Sequence, residues 1–138
     1  MNLEKWSILL RGVTKDGVDC HSVAPEYGNG YAIELETGIF LYGFVRRLNP
    51  RLIAETGTHW GFSGACMALA LEDSYLDYPN NLGCLFSVDH MDYEKKPEHL
   101  WESLGVDDTV LHVIADSRSV MPVPAGISLP ITMFSFKP

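Results

Sequence analysis

The sequence has few cysteines, few basic residues and no long apolar run, and each shortage excludes a class of protein. Its 138 residues include three cysteines, Cys20, Cys66 and Cys84, and no C-x-x-C pair, which excludes a zinc knuckle and a thioredoxin-like redox motif. Ten lysines and arginines stand against 18 aspartates and glutamates, and the net charge of −8 disfavours binding to nucleic acid. No apolar run approaches the ~18–20 residues that cross a bilayer, and the N-terminus lacks the pattern of a signal peptide. We therefore expect a cytoplasmic protein that binds neither membrane nor nucleic acid.

Several catalytic motifs are also missing. The sequence contains no G-x-S-x-G turn of the hydrolases and no Walker A loop ending in G-K-[ST]. Its five histidines are scattered, without H-x-x-x-H or 2-His-1-carboxylate spacing, so we predict no metal site.

What the sequence does contain is an alternation of short apolar runs and helical patterns. The runs RLIAE, GCLFSVD, TVLHVIAD and LPITMFSF have the length of strands, and they are continuous, as in a sheet covered on both faces. Amphipathic patterns beginning at Leu35, Ala65 and near Pro97 predict helices between or before them. This order predicts an α/β fold, a Rossmann-like parallel sheet with flanking helices, over residues 31–138. Residues 1–30, with five glycines and prolines after Arg11, predict an N-terminal arm or lid.

Acidic residues close the first three predicted strands. Ligands of open parallel sheets bind beyond the carboxyl ends of the strands, where Glu55, Asp89 and Asp116 stand. Gly57, Gly61 and Gly64 follow the first acid, and glycine permits a left-handed backbone and close approach of a ligand.

The chemistry of these positions suits an adenosine-containing ligand. Amides at the start of the helix after the glycines attract a carboxylate or phosphate, and the Ser63 hydroxyl adds a donor. An ionised Asp89 accepts hydrogen bonds in pairs and suits two ribose hydroxyls, while Asp116 with Ser117 suits the amino group of a purine.

Three segments resemble the class I S-adenosylmethionine-dependent methyltransferases. They are GYAIELETGIFLYGFVRRLNPRLIAETGTHWGFSGACMALA, LFSVDHMD and VLHVIADSRSVMP. Within that class, the chain is most similar to the small-molecule O-methyltransferase and cephalosporin-hydroxylase-like branches. The resemblance covers about residues 30–136, and it implies S-adenosylmethionine as cofactor and a small molecule as methyl acceptor.

The resemblance also implies roles for individual residues. Glu55 would position the methionine amino group through the loop, Gly57, Thr58 and Gly61 would line the methionine portion, and Ser63 would lie near its carboxylate. Asp89 would hold the ribose, His90 would pack on the adenine, and Asp116 with Ser117 would face the adenine edge. The resemblance identifies no catalytic base.

The chain departs from the family at three points. His59 stands where the family usually has a further glycine, the fourth strand lacks the acid that binds metal in metal-dependent relatives, and the pattern stops after about four strands of a sheet that normally has seven. We therefore expect an incomplete domain, truncated after the fourth strand, whose apolar sheet edge favours a homodimer.

Two alternatives stay open. One is a nicotinamide-dependent oxidoreductase on a similar sheet, although the loop is not G-x-G-x-x-G and the acid Asp89 lies too far along the chain. The other is a degenerate, non-catalytic α/β module.

Overall fold

The computed structural model describes residues 2–11, 17, 33, 35–120 and 131–135. In these ranges the chain forms helices and strands in the predicted alternation. The helices are α1 (Leu3–Arg11), α2 (Leu35–Leu48), α3 (Phe62–Asp77), α4 (Lys96–Leu104) and α5 (Ser117–Val120), with a 3₁₀ turn at Asp107–Thr109. The strands are β1 (Leu52–Thr56), β2 (Cys84–Asp89), β3 (Val110–Ile114) and β4 (Ile131–Ser135).

The four strands form one parallel sheet in the order β3-β2-β1-β4. β1 is central, and its Glu55 is paired in register with Ser87 of β2 and Phe134 of β4. The predicted α/β fold with a partial, Rossmann-like parallel sheet is therefore confirmed. Because all the strands run in one direction, the residues that follow β1, β2 and β3 meet at the same edge of the sheet.

Helix α3 occupies the middle of the helical layer, between α2 and α4, and packs on β2. All of its first ten residues are buried, which explains why this part of the sequence is apolar on every side. The crossing with α2 is close because Gly38 lies there: a Cβ at this position would come within 2.8 Å of Phe62 and 2.9 Å of the Cys66 Sγ.

Both ends of helix α4 have the features that the sequence predicts. Pro97 lies in its first turn, where a missing amide costs nothing, and Gly105 ends the helix with φ of 61°. The Gly105 amide and the next amide along the chain donate hydrogen bonds to carbonyls of the last helical turn.

Helix α1 comes from the segment predicted as an arm, and it packs into the same core. Its Trp6, Ile8 and Leu9 are buried, and the Trp6 ring meets the edge of Tyr42 at 5.0 Å between centroids. Lys5 also pairs with Glu72 of α3 at 2.5 Å. The rest of the predicted arm, apart from Asn2 and Gly17, lies outside the described residues.

Among the helices that the structure describes, none is long and apolar enough to cross a membrane.

Candidate functional site

The carboxyl end of β1 is built on a buried network of side-chain hydroxyls around Glu55. The Glu55 side chain is completely buried. Ser63 donates a hydrogen bond to its Oε1, and Ser87 donates to its Oε2 at 2.7 Å. The Thr58 hydroxyl lies 2.7 Å from the Ser87 Oγ and extends the network to the loop after β1. Glu55 therefore holds the base of the loop, with its oxygens already bonded inside the protein.

Burial also changes the acidity of Glu55. Loss of solvent raises its pKa from 4.5 to about 7, and the hydroxyls of Ser63 and Ser87 oppose that rise by favouring the carboxylate. The charge of Asp89 adds a smaller upward effect. The pKa of this buried group beneath the loop therefore lies close to neutral pH.

Every second residue of the loop between β1 and α3 has a left-handed backbone. The φ angles are 82° at Gly57, 49° at His59 and 81° at Gly61. Gly57 and Gly61 adopt this conformation without steric cost. For a histidine the same backbone conformation costs roughly 1–2 kcal/mol of folding free energy. The predicted departure at His59 is thus seen as a left-handed residue in an otherwise glycine-built turn.

Gly61 is required for a second reason, because α4 lies directly against it. A Cβ at Gly61 would come within 2.9 Å of the Pro97 Cα and 3.1 Å of the Trp101 ring. The Trp101 Nε1 donates to the Gly61 carbonyl at 3.0 Å. The same carbonyl accepts the Ala65 amide at the start of α3, so this glycine joins the loop to two helices.

Asp89, at the end of β2, fastens this loop. Its buried carboxylate accepts the His59 amide on Oδ2 at 2.9 Å and the Met91 amide on Oδ1 at 3.1 Å. The Gly57 amide donates to the Val88 carbonyl at 2.9 Å, which ties the loop to β2 a second time. The hydrogen bond to His59 offsets the cost of its left-handed backbone, since bonds to a charged acceptor are the stronger ones.

Aromatic rings and one lysine line the outer side of the loop. The His59 ring stacks on Trp60, with centroids 5.2 Å apart, and meets the edge of Tyr93 at 4.8 Å. The Lys96 ammonium lies 4.4 Å from the centre of the Trp60 ring. Partial burial lowers the pKa of His59, and Asp89 opposes this while Lys96 reinforces it. The His59 imidazole is therefore biased towards its neutral form.

Asp116 follows β3 and lies beside the first two strand ends. The Ala115 amide donates to the Asp89 carbonyl at 2.7 Å, which places Asp116 next to the end of β2. Its exposed carboxylate is bound by the Arg118 side chain at 2.6 Å and by the Arg118 amide at 3.0 Å. These contacts lower the pKa of Asp116 to about 2, so it is ionised at any physiological pH. Ser117 is half-buried and begins the short helix α5.

The candidate residues at this sheet edge therefore differ in exposure. Gly57 and Ser117 are half-buried, and His90 and Asp116 are exposed, with His90 72% exposed at its side chain. The others are buried: Glu55, Thr58, Gly61, Ser63 and Asp89. The sequence places all of these residues at the strand ends, but their roles towards a ligand stay predictions.

Sequence reasoning missed three residues that complete this edge. Ser87 is the partner of Glu55, Arg118 is the partner of Asp116, and Trp101 holds Gly61. A signal existed for Ser87, since it is the polar residue in the apolar run GCLFSVD, two positions before Asp89. Arg118 and Trp101 carry no comparable signal. Arg118 lies 2 residues from its partner and Trp101 lies 40 residues from its partner, and no sequence motif links either pair.

Within the described ranges, no three histidine, cysteine, aspartate or glutamate side chains converge on a point that could hold a metal ion.

No protein-family model and no curated protein sequence matches the chain. Its structure, however, is similar to those of several methyltransferases. An O-methyltransferase of tomaymycin synthesis from Streptomyces achromogenes, solved with S-adenosylmethionine, is 21% identical with a TM-score of 0.65; the match covers 99% of this chain and 63% of that one. An O-methyltransferase from Bacillus cereus in complex with S-adenosylhomocysteine is 16% identical with a TM-score of 0.62, over 98% and 55% of the two chains.

A methyltransferase from Podospora anserina, bound to S-adenosylhomocysteine, matches with a TM-score of 0.66 at 13% identity, over 98% of this chain and 49% of that one. The chain thus spans about half the length of the solved structures that it matches. At these identities the similarity establishes the fold, which is part of the fold of the S-adenosylmethionine-dependent O-methyltransferases.

Proposed function

We propose that this chain is the cofactor-binding portion of an S-adenosylmethionine-dependent methyltransferase that acts on a small molecule. One observation carries the proposal: the left-handed loop Gly57–Gly61 is fastened by the Asp89 carboxylate at the point where the central strands end. That edge is where ligands of open parallel sheets bind. The similarity to methyltransferases solved with the cofactor or its demethylated product supports the same assignment.

The donors and acceptors at this edge fit an adenosine group. A carboxylate has about four lone-pair positions, and the backbone amides of His59 and Met91 occupy two of those of Asp89. The His90 ring lies 3.2 Å from the same carboxylate and is largely exposed, so its rotation frees acceptor positions for ribose hydroxyls. Asp116 is exposed and ionised, and its oxygens have lone pairs beyond those bound by Arg118 that can accept from an adenine amino group.

Some of these residues would then contact the cofactor directly, and others would support the loop from below. Asp89 would hold the ribose, His90 would pack on the adenine, and Asp116 with Ser117 would face its edge. Gly57, Thr58 and Gly61 would shape the loop against the methionine portion. Glu55 and Ser63 bond to each other beneath the loop, so they would act on the methionine end only by holding the loop in place.

When bound, S-adenosylmethionine supplies an electrophilic methyl group on a sulfonium. Transfer is an in-line displacement, so the contribution of the protein is to hold acceptor and methyl group in line. No described residue is assigned as a base for the acceptor.

Calorimetric titration with S-adenosylhomocysteine and, separately, with NAD tests the proposal. We expect S-adenosylhomocysteine to bind and NAD not to bind. Asp89→Asn should weaken S-adenosylhomocysteine at least tenfold, because hydrogen bonds to a charged group contribute about 1.5–3 kcal/mol. Asp108→Asn, an exposed acid in the 3₁₀ turn, is the matched control and should bind as the parent does.

Two outcomes contradict the proposal. Binding of NAD alone favours the oxidoreductase alternative, and binding of neither ligand by a chain with native circular dichroism favours a non-catalytic module. Thermal unfolding of Asp89→Asn separates lost ligand contacts from a loosened loop, since a loosened loop lowers the midpoint without ligand.

A further inference from the structure

Helix α2 has a buried face and an opposite face that is largely exposed. Its buried face consists of Gly38, Leu41, Tyr42 and Val45, which pack towards α3 and the core. The other face is exposed and is nevertheless apolar at its centre: Phe40 is 64% exposed and Ile39 is 49% exposed. A surface helix normally turns charged and polar residues to water, so exposed aromatic and aliphatic side chains on this face require an explanation.

Four residues lie along the middle of the exposed face. Glu36, Phe40, Gly43 and Arg47 follow one another at intervals of four, three and four residues, which places them in one row of a helix. All four are exposed. The Phe44 ring stacks on Phe40 at 5.8 Å between centroids and widens the apolar part. We call this row, with Ile39 and Phe44 beside it, the outer face of α2.

The outer face is complementary to itself. The midpoint between Glu36 and Arg47 is also the midpoint between Phe40 and Gly43. If two copies of α2 lie antiparallel about a two-fold axis at that point, Glu36 of each copy faces Arg47 of the other. Phe40 of each copy then faces Gly43 of the other. An isologous contact requires this property, in which each residue meets a complement that its own chain already carries.

The open space at Gly43 and the charges of Glu36 and Arg47 agree with this arrangement. A Cβ at Gly43 would meet nothing within 4 Å in its own chain, so the space above Gly43 is open to an aromatic ring from outside. Neither Glu36 nor Arg47 forms an ion pair with any residue that the structure describes. A membrane surface would favour a basic rim instead, and Glu36 with a net charge of −8 opposes that occupant.

We infer that the outer face of α2 docks on the outer face of α2 in a second copy of this chain, antiparallel about a two-fold axis. The contact uses none of the residues of the candidate cofactor site. It also differs from pairing through the sheet edge, because it uses no backbone hydrogen bonds. One helix pair buries less area than a standard interface, so the dimer is weak and its population depends on protein concentration.

Charge reversal followed by sedimentation equilibrium tests the inference. Glu36→Arg and Arg47→Glu, made singly, each place like charges together twice in the dimer. We expect the dissociation constant to rise roughly tenfold in each, because two exposed contacts change sign. The double variant Glu36→Arg with Arg47→Glu restores opposite charges and should return the dissociation constant to near that of the parent. All of these differences should shrink at high salt.

A second variant tests the close approach at Gly43. Gly43→Gln fits the open space of the single chain and improves the helix, but it fills the position that Phe40 of the other copy would occupy. We expect a native circular dichroism spectrum, an unchanged or higher melting temperature and loss of the dimer.

The inference is overturned by three results. These are a chain that stays monomeric at the highest attainable concentration, a dimer that the single charge reversals leave unchanged, or a double variant that fails to recover. A dimer unaffected by every α2 variant would point to the sheet edge instead.

Discussion

Glu55→Gln tests whether burial controls the ionisation of the residue at the centre of the site. The Glu55 carboxyl is completely buried, and its pKa rises from 4.5 to about 7. A difference of 2.5 pKa units corresponds to about 3 kcal/mol, at 1.36 kcal/mol per unit. Glutamine keeps the shape and can bond to both Ser63 and Ser87, but it carries no charge.

The direction follows from proton binding. Below pH 4.5 Glu55 is protonated in both the folded and the unfolded chain, so it adds no pH dependence. Between pH 4.5 and 7 the unfolded chain has lost this proton and the folded chain still holds it, so the stability of the parent falls as the pH rises. Above pH 7 the full cost of about 3 kcal/mol is present. The stability of Glu55→Gln relative to the parent should therefore rise by about 3 kcal/mol between pH 4 and pH 8.

The assay is urea unfolding followed by tryptophan fluorescence at several values of pH, with free energies extrapolated to water. The prediction concerns how the difference between variant and parent changes with pH, so a constant offset from the substitution itself does not affect it. Glu102→Gln, at an exposed glutamate of α4, is the control and should show no such change. A Glu55→Gln difference that stays within about 1 kcal/mol across this pH range would refute the reasoning.

Two further substitutions test packing around the site and at the helix crossing. Gly61→Ala should cost about 2–5 kcal/mol, from a left-handed alanine and from crowding against Pro97, and urea unfolding measures it; a loss under 1 kcal/mol contradicts the close contact. Its matched control is Gly43→Ala in dilute protein, where a helical alanine in open space should add up to about 1 kcal/mol of stability. Tyr42→Phe removes the hydroxyl that donates to the buried Asp73 carboxylate at 2.5 Å and should cost about 1.5–3 kcal/mol in the same assay, whereas an unchanged stability would mean that this bond adds nothing.

The strands and helices could be predicted from sequence because their signals are local. Continuous apolar runs are typical of strands in covered sheets, and Pro97 and Gly105 mark the ends of α4 through backbone conformations that these residues favour. Parallel strands bring their carboxyl ends to one edge, so the positions of Glu55, Asp89 and Asp116 also followed from the pattern.

The hydrogen-bond partners of those three acids could not be predicted in the same way. Asp89 fastens the loop through the backbone amides of His59 and Met91, and amides carry no signature in a sequence. Arg118 takes the Asp116 carboxylate although nothing in the run ADSRS distinguishes it from a solvated arginine.

By itself, the sequence determined the α/β class, the order of the elements and the residues at the strand ends, because each depends on periodicity or on backbone preferences of single residues. The tertiary structure alone decided how exposed those residues are and what they bond to. Glu55 is buried and supports the loop, Asp89 binds a backbone amide of the loop, and Asp116 forms an exposed ion pair. All three nevertheless follow the same pattern in the sequence, an acid at the end of a strand. The reason is physical: burial and hydrogen bonding depend on residues that are distant in the chain and adjacent only after the sheet and helices have packed.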